Sequence, residues 1–251
     1  MKRNVVFLVF ALSGLISIVA NADHHGGTGF KPLFDGKSLK GWDGDERFWR
    51  VENGAIVGQT TEDNKAPHNT FLIYRAKEYG DFEMRFSYKV EGFNSGMQYR
   101  SVETGDYLMK GLQADFEARW HGDKKNPDAP KIDKFSGMFF EEKGRMFMGQ
   151  RGDVVIVRSN PDNPKKPKLE KIGTVGDPVE LEKAINRDGW NDYIIIANGN
   201  QFTHIINGRV MSIGIDEDEI SFTESGLIGI QLHSGPPMRI DVKDIRIREL
   251  D

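Results

Sequence analysis

The residues best equipped for chemistry stand in Gly111 to Trp120, which reads G-L-Q-A-D-F-E-A-R-W. Side chains on a strand alternate between its two faces. Leu112, Ala114, Phe116 and Ala118 therefore share one face, and Gln113, Asp115, Glu117 and Arg119 share the other. An ordinary solvent face carries Lys, Thr and Ser; this one carries an amide, two carboxylates and a guanidinium. Carboxylates at i and i+2 stand roughly 6.5 to 7 Å apart at Cβ. That spacing suits acid–base chemistry, metal binding or hydrogen bonds to sugar hydroxyls. It also suits the polar outer face of a half-buried strand. Phe82 to Val90 is an internal control, because the face opposite its apolar residues holds only Glu83, Arg85, Ser87 and Lys89.

Other strand-like runs repeat the unusual face. Gln98 alternates into register with Arg100, and Gln231 with His233, while Asn94 and Ser95 open the first of these runs. If the faces belong to one sheet, they line a shallow groove of amides, carboxylates, an arginine and a histidine. Hydroxyl groups need paired donors and acceptors, which amides and carboxylates supply. Trp42, Trp120 or Trp190 offers a stacking surface, although a lone tryptophan is more often core. His204 alternates on a strand and reads as a half-exposed structural histidine. His24 and His25 lie in a flexible start. The acidic run Asp216 to Glu219 lacks the glycine and spacing of a calcium loop and reads as solvated. Arg151-Gly152-Asp153 reads as a chance triplet. No phosphate-binding loop, H-E-x-x-H, nucleophile elbow or cysteine zinc motif is present.

The elements that must position these residues are strands. Lys2 and Arg3, the apolar Val5 to Val19 and Ala20-Asn21-Ala22 form a cleavable export signal over Met1 to Ala22. The apolar run is short for a membrane span, which needs about 20 residues. The mature chain is expected to be secreted or periplasmic, with no stable membrane insertion. With no cysteine among the 251 residues, stability must come from the core. The net charge of −4 becomes −6 once Lys2 and Arg3 leave with the signal, a balance that argues against nucleic acid. Twenty-eight glycines between short alternating runs are the composition of a β-sandwich. Residues 23–251 read as one all-β domain of roughly a dozen strands in two sheets. Asn53-Gly54, Asn198-Gly199 and Asn207-Gly208 read as hairpin turns. Asp177-Pro178-Val179-Glu180 opens the one short helix, ending near Ile185.

Several segments carry a family resemblance in their order: L-F-D-G-K-S-L-K-G-W (33–42), W-R-V-E-N-G-A-I-V-G (49–58), N-S-G-M-Q-Y-R (94–100), G-L-Q-A-D-F (111–116), W-N-D-Y-I-I-I-A-N-G-N (190–200) and G-L-I-G-I-Q-L-H-S-G-P-P-M (226–238). Together they resemble the secreted bacterial family described as the 3-keto-disaccharide hydrolase domain. The resemblance implies a concanavalin-like jelly roll and cleavage of glycosides oxidised at C3. A C3 ketone acidifies the C2 proton, so a base can remove it, the group on C1 can leave, and water can add back. On that reading Asp115 or Glu117 is the base. Arg100 and His233 stabilise or donate, and Asn94, Gln98, Gln113 and Gln231 bind the sugar. Asp115 and His233 are alternatively a pair for a divalent cation. Jelly-roll endoglucanases carry E-x-D-x-E on one strand; here Gln113 stands in the nucleophile position of that pattern, which speaks against a retaining double displacement. Phe140 stands where a tyrosine is expected in many family members.

Three functions compete. The first is an exported glycosidase acting on oxidised disaccharides or glycosides. The second is a non-catalytic, lectin-like module using the same concave face. The third is a scaffold domain, for which the glutamine faces need not converge.

Overall fold

The computed structural model describes residues 29–119 and 131–250, together with Gly122, Lys125, Asn126 and Asp128. The proposed signal Met1–Ala22, His24, His25 and Trp120 lie outside the described residues. In chain order the elements are β1 (Lys31–Pro32), β2 (Trp42–Asp43), β3 (Trp49–Glu52), β4 (Ala55–Gln59), β5 (Thr70–Tyr79), β6 (Phe82–Glu91), β7 (Asn94–Gly105), β8 (Leu108–Glu117), β9 (Phe139–Glu142), β10 (Met146–Gly149), β11 (Asp153–Arg158), β12 (Lys168–Thr174), α1 (Pro178–Glu182), β13 (Asn191–Asn198), β14 (Gln201–Ile206), β15 (Arg209–Glu217), β16 (Gly226–Leu232) and β17 (Arg239–Glu249). No helix among the described residues is long and apolar enough to cross a membrane.

Two sheets pack face to face. One follows the order β12-β11-β15-β14-β13-β6-β17-β4-β3, with β1 on β17; the other runs β10-β9-β8-β7-β16-β5-β2. Neighbours are antiparallel except β11 and β15. The alternation read from the sequence decides which side faces inward. Phe82, Met84, Phe86 and Tyr88 of β6 and Leu112, Ala114 and Phe116 of β8 are buried in one continuous core. Rings interlock across it: Phe116 stacks on Tyr88 with centroids 4.2 Å apart, and Phe139 on Phe202 at 5.3 Å. Offset aromatic pairs of this kind add about 0.5–1.5 kcal/mol each beyond their burial.

The helix starts as expected, with Asp177 Oδ1 accepting the N–H groups of Val179 and Glu180. Two expectations fail inside the sandwich. His204 is sealed between the sheets rather than half-exposed; it bonds Tyr99 Oη at 3.0 Å and the Met138 carbonyl at 2.9 Å. Burial lowers it to about 4, so it is neutral in the fold. Asp216 and Asp218 are not solvated, because β15 (missed in the sequence) carries Asp216 inward. Buried Arg145 binds Asp216, Asp218 and Glu141 at 2.7, 3.2 and 2.5 Å. Arg151 of the chance triplet is likewise buried, against Asp133.

The β7–β8 hairpin bends sharply. Its register breaks between Tyr99 and Val102, where Arg100 has φ +46°. Opposite, Gly111 has φ +148°, and a Cβ there would stand 2.2 Å from Ser101 Oγ. Beyond the bend the hairpin tip crosses the outer face of its own sheet. There Phe71 N–H donates to the Tyr107 carbonyl, and Met109 packs into a second cluster with Phe71 and Ile73.

Candidate active site

The outer face of the seven-stranded sheet carries the predicted glutamines and Asp115. β8, β7 and β16 are neighbours, and the register places Gln98 opposite Gln113, Gly96 opposite Asp115 and Asn94 opposite Glu117. Gly229 lies across from Gln98, so Gln231 continues toward Gly96. The faces converge, as the groove expectation required. They are far more enclosed than a shallow groove: Gln98, Gln113, Asp115 and Gln231 are each at most 2% exposed.

The buried groups form one relay. Gln98 Nε2 donates to Gln113 Oε1 at 3.3 Å. Gln113 Nε2 donates to Asp115 Oδ1 at 2.6 Å and to Gln231 Oε1 at 3.4 Å. Gln231 Nε2 then donates to Glu142 Oε2 at 3.3 Å, and Asn69 Nδ2 to Glu142 Oε1 at 3.4 Å. Asn69 is held in turn, its Oδ1 accepting Ser234 N–H at 3.0 Å and Ser234 Oγ–H at 3.1 Å. Gly96 makes the centre possible. A Cβ on it would stand 2.5 Å from Gln113 Cγ and 2.8 Å from Gln113 Nε2, so the Gln113 amide lies across bare backbone to reach Asp115. Two atoms stay unpartnered although buried, Gln98 Oε1 and Asn94 Nδ2. Each such group costs roughly 1–3 kcal/mol.

Burial drives Asp115 well above its usual carboxylate range, against the single bond from Gln113; the charges of Glu117 and Glu142 push the same way. Asp115 is thereby a stronger base than an exposed aspartate. Burial also raises Glu142, with His233, Asn69 and Gln231 opposing. His233 sits at the partly exposed rim with Asn69, Glu142 and Ser234, its ring edge-on to Phe93 at 4.7 Å. Phe140 pairs with Gln113 in register and meets Phe147 edge-to-face at 5.3 Å, bringing no hydroxyl to this wall.

Two predicted site residues sit elsewhere. Arg100 does not share the face of Gln98, because the bulge turns it out of alternation. Its guanidinium donates to Gly80, Gly199 and Thr223 carbonyls and to Asp81 Oδ1, the last at 2.6 Å. It lines a separate cleft of about 360 Å³ with Lys110, Glu141 and Arg145. Glu117 keeps the face of Asp115, but its Oε1 accepts the N–H groups of Lys134 and Phe135 and so caps the 133–136 turn. Burial and the charge of Asp133 raise Glu117 to about 8; burial pushes Asp133 up too, but Arg187, Arg151 and the bond to Ser136 together hold it low. Trp42 is core, its Nε1–H bonded to the Leu33 carbonyl, and Trp190 lies under Lys243 rather than at this site. Among the described residues no group of three or more His, Cys, Asp or Glu side chains is placed to hold a metal ion.

Sequence reasoning missed Glu142 and Asn69. Glu142 was legible as the i+2 partner of Phe140, two residues along a strand whose register had not been assigned. Asn69 sits at the end of a polar loop and gave no signal.

A two-sheet sandwich with a polar relay of amides and carboxyls on one face has the form of a carbohydrate-active, glycosyl-hydrolase-like domain. The chain belongs to the family described as the 3-keto-alpha-glucoside-1,2-lyase-like domain, which matches residues 29–248. No curated protein sequence matches it. Two crystal structures from Parabacteroides distasonis ATCC 8503, each provisionally described as a glycosyl hydrolase, share the fold with TM-scores of 0.54. They are 17% and 18% identical; each aligns with 89% of this chain, over 94% and 100% of their own lengths. A Bacillus subtilis protein of unknown function with a galectin-like fold aligns at 11% identity and TM-score 0.50, over 88% of this chain and 94% of its own.

Proposed function

We propose that this domain cleaves 3-keto-glycosides, 3-keto-disaccharides among them, by elimination followed by hydration, and that it does so after export with Met1–Ala22 removed. The observation that carries this reading is Asp115, a buried carboxyl of raised basicity held by one amide donor on a face otherwise made of sugar-binding groups. The C2–H bond of the oxidised sugar breaks and Asp115 takes the proton, leaving an enolate on the C3 oxygen. The enolate re-forms the ketone as the C1–O bond to the aglycone breaks and a C1–C2 double bond forms. The leaving oxygen takes a proton from the rim, where Glu142 and His233 stand together. Water then adds its hydroxyl to C1 and its proton to C2, giving the free keto sugar. Gln98, Gln113 and Gln231 orient the ring.

Product analysis by mass spectrometry tests this. Purified protein is incubated with 3-keto-trehalose and 3-keto-lactose beside trehalose and lactose. Release of monosaccharide from the keto sugars alone, lost in Asp115→Asn, is the expected result. Saturable binding of sugar without turnover would instead make the domain a lectin-like module. The N-terminal mass of exported protein checks the signal; retention of Met1–Ala22 would overturn export.

A further inference from the structure

An elimination through an enolate needs a donor where the charge appears, and the relay does not supply one. Gln113 spends its two N–H bonds on Asp115 and Gln231, and Gln231 donates to Glu142. The donor nitrogen on this face that makes no bond at all is Asn94 Nδ2, buried and without a partner, whereas Gln98 Nε2 and Gln231 Nε2 are each already tied to a neighbour. A strand presents alternate residues to one face, and Asn94, Gly96 and Gln98 are the outward ones of β7, since Met97 and Tyr99 are core. Asn94 faces Glu117 in register, so it is the diagonal neighbour of Asp115. Diagonal pairs stand roughly 7–8 Å apart, somewhat less at Cβ. A C2–C3 fragment fits that span, with its C2 proton against one short side chain and its C3 oxygen about 2.9 Å from the other. Gly96 between them contributes no side chain. His233, at the partly exposed rim, packs edge-on against Phe93, the residue before Asn94.

We propose that the Asn94 side-chain amide donates to the C3 oxygen and stabilises the enolate formed when Asp115 removes the C2 proton; this rests on the elimination reading above. The step balances within the site. The C–H pair becomes the C2–C3 π bond, the carbonyl pair moves onto oxygen at Asn94 Nδ2, and the proton stays on Asp115. Asn94 Nδ2 has no hydrogen-bond partner in the protein, so its bond to the oxygen is gained without breaking one there. Loss of a single oxyanion donor lowers kcat by about 10²–10³.

The test follows the C2 proton directly. 3-Keto-trehalose is incubated in deuterated buffer with wild type, Asn94→Ala and Asn94→Asp. Deuterium entry at C2 is read by NMR, and kcat and KM are read from glucose release. Asn94→Asp keeps the side-chain shape and exchanges the amide for a carboxyl, which has no donor once ionised, while Asn94→Ala removes the donor at every pH; the melting temperature of both variants controls for misfolding. Exchange and kcat falling together about 100-fold or more, with KM within about three-fold, support the assignment. Wild-type exchange matched within about three-fold by both folded variants overturns it and leaves the elimination reading standing. Wild type that neither exchanges nor cleaves overturns both.

Discussion

Gly96→Ala is a one-carbon change with a definite consequence for a residue on another strand. The added Cβ would stand 2.5 Å from Gln113 Cγ and 2.7 Å from Cδ, distances no real Cβ tolerates. The Gln113 side chain must swing away, and with it goes the 2.6 Å bond from its Nε2 to Asp115. A hydrogen bond to a charged group contributes about 1.5–3 kcal/mol. At about 1.4 kcal/mol per tenfold, kcat/KM on a 3-keto-glycoside should fall roughly 10- to 150-fold. The same bond opposes burial in setting the basicity of Asp115, so its loss raises that pKa further. The acidic limb of the pH–rate profile should therefore move to higher pH, since the ionised form is the base. Steady-state kinetics across the pH range, with thermal melting to exclude unfolding, measure both effects. A double-mutant cycle isolates the cause: in a Gln113→Ala background, Gly96→Ala should cost almost nothing more. A full additional loss in that background, or an unshifted acidic limb in Gly96→Ala, would refute the seat assigned to Gly96.

Two further predictions concern charge. Glu117 titrates at about 8 in the fold against an ordinary 4.5, so its contribution is fully present below 4.5 and is lost as pH rises through about 8. Glu117→Gln keeps an oxygen for the Lys134 and Phe135 amides and cannot ionise, so its melting temperature should fall less than that of wild type between about pH 5 and pH 9, as calorimetry would show. Arg145→Met leaves Glu141, Asp216 and Asp218 buried without their counter-ion, which should destabilise the fold by about 3–5 kcal/mol in urea unfolding at neutral pH. The deficit should shrink in acid as those carboxylates take up protons; a deficit under about 1 kcal/mol would mean the cluster is not the tie described.

Alternation made most of this molecule legible. Phe82 to Val90 and Leu112 to Phe116 declared their inward faces, and the contrast between their outward faces singled out Gln113 and Asp115. The Asn53-Gly54 and Asn207-Gly208 hairpins and the Asp177 cap were local signals and needed nothing further. Strand order was not legible, because it is fixed by contacts between residues far apart in the chain, such as Gly229 with Gln98. That is why Asn69 and Glu142 went unseen: neither is unusual until β5, β9 and β16 bring them to one another. Arg100 failed for a different reason. Period two holds only while the pairing is regular, and a bulge with one residue at φ +46° removes Arg100 from the face its number implies. Glu117 kept its face but is spent on two backbone amides from a loop whose path no local pattern foretold.

The relay also has a direction. Each of its amides can point two ways, but the Ser234 N–H can only donate, and this fixes Asn69 with its oxygen toward Ser234 and its nitrogen toward Glu142. With Glu142 as acceptor, Gln231 must offer nitrogen to it and oxygen to Gln113; Gln113 must then accept from Gln98. The Ser234 N–H thus orients Asn69, the acceptors Glu142 and Asp115 orient Gln231 and Gln113, and the chain of bonds terminates in a bare oxygen on Gln98. The free atoms along the outward stretch Asn94 to Gln98 of β7 are therefore unlike: an acceptor oxygen on Gln98 and a donor nitrogen on Asn94. On the proposed function, a keto sugar lying along that strand would turn a hydroxyl toward Gln98 and its carbonyl toward Asn94, and the hydrogen-bond polarity of the protein would set the direction of binding before any substrate arrives.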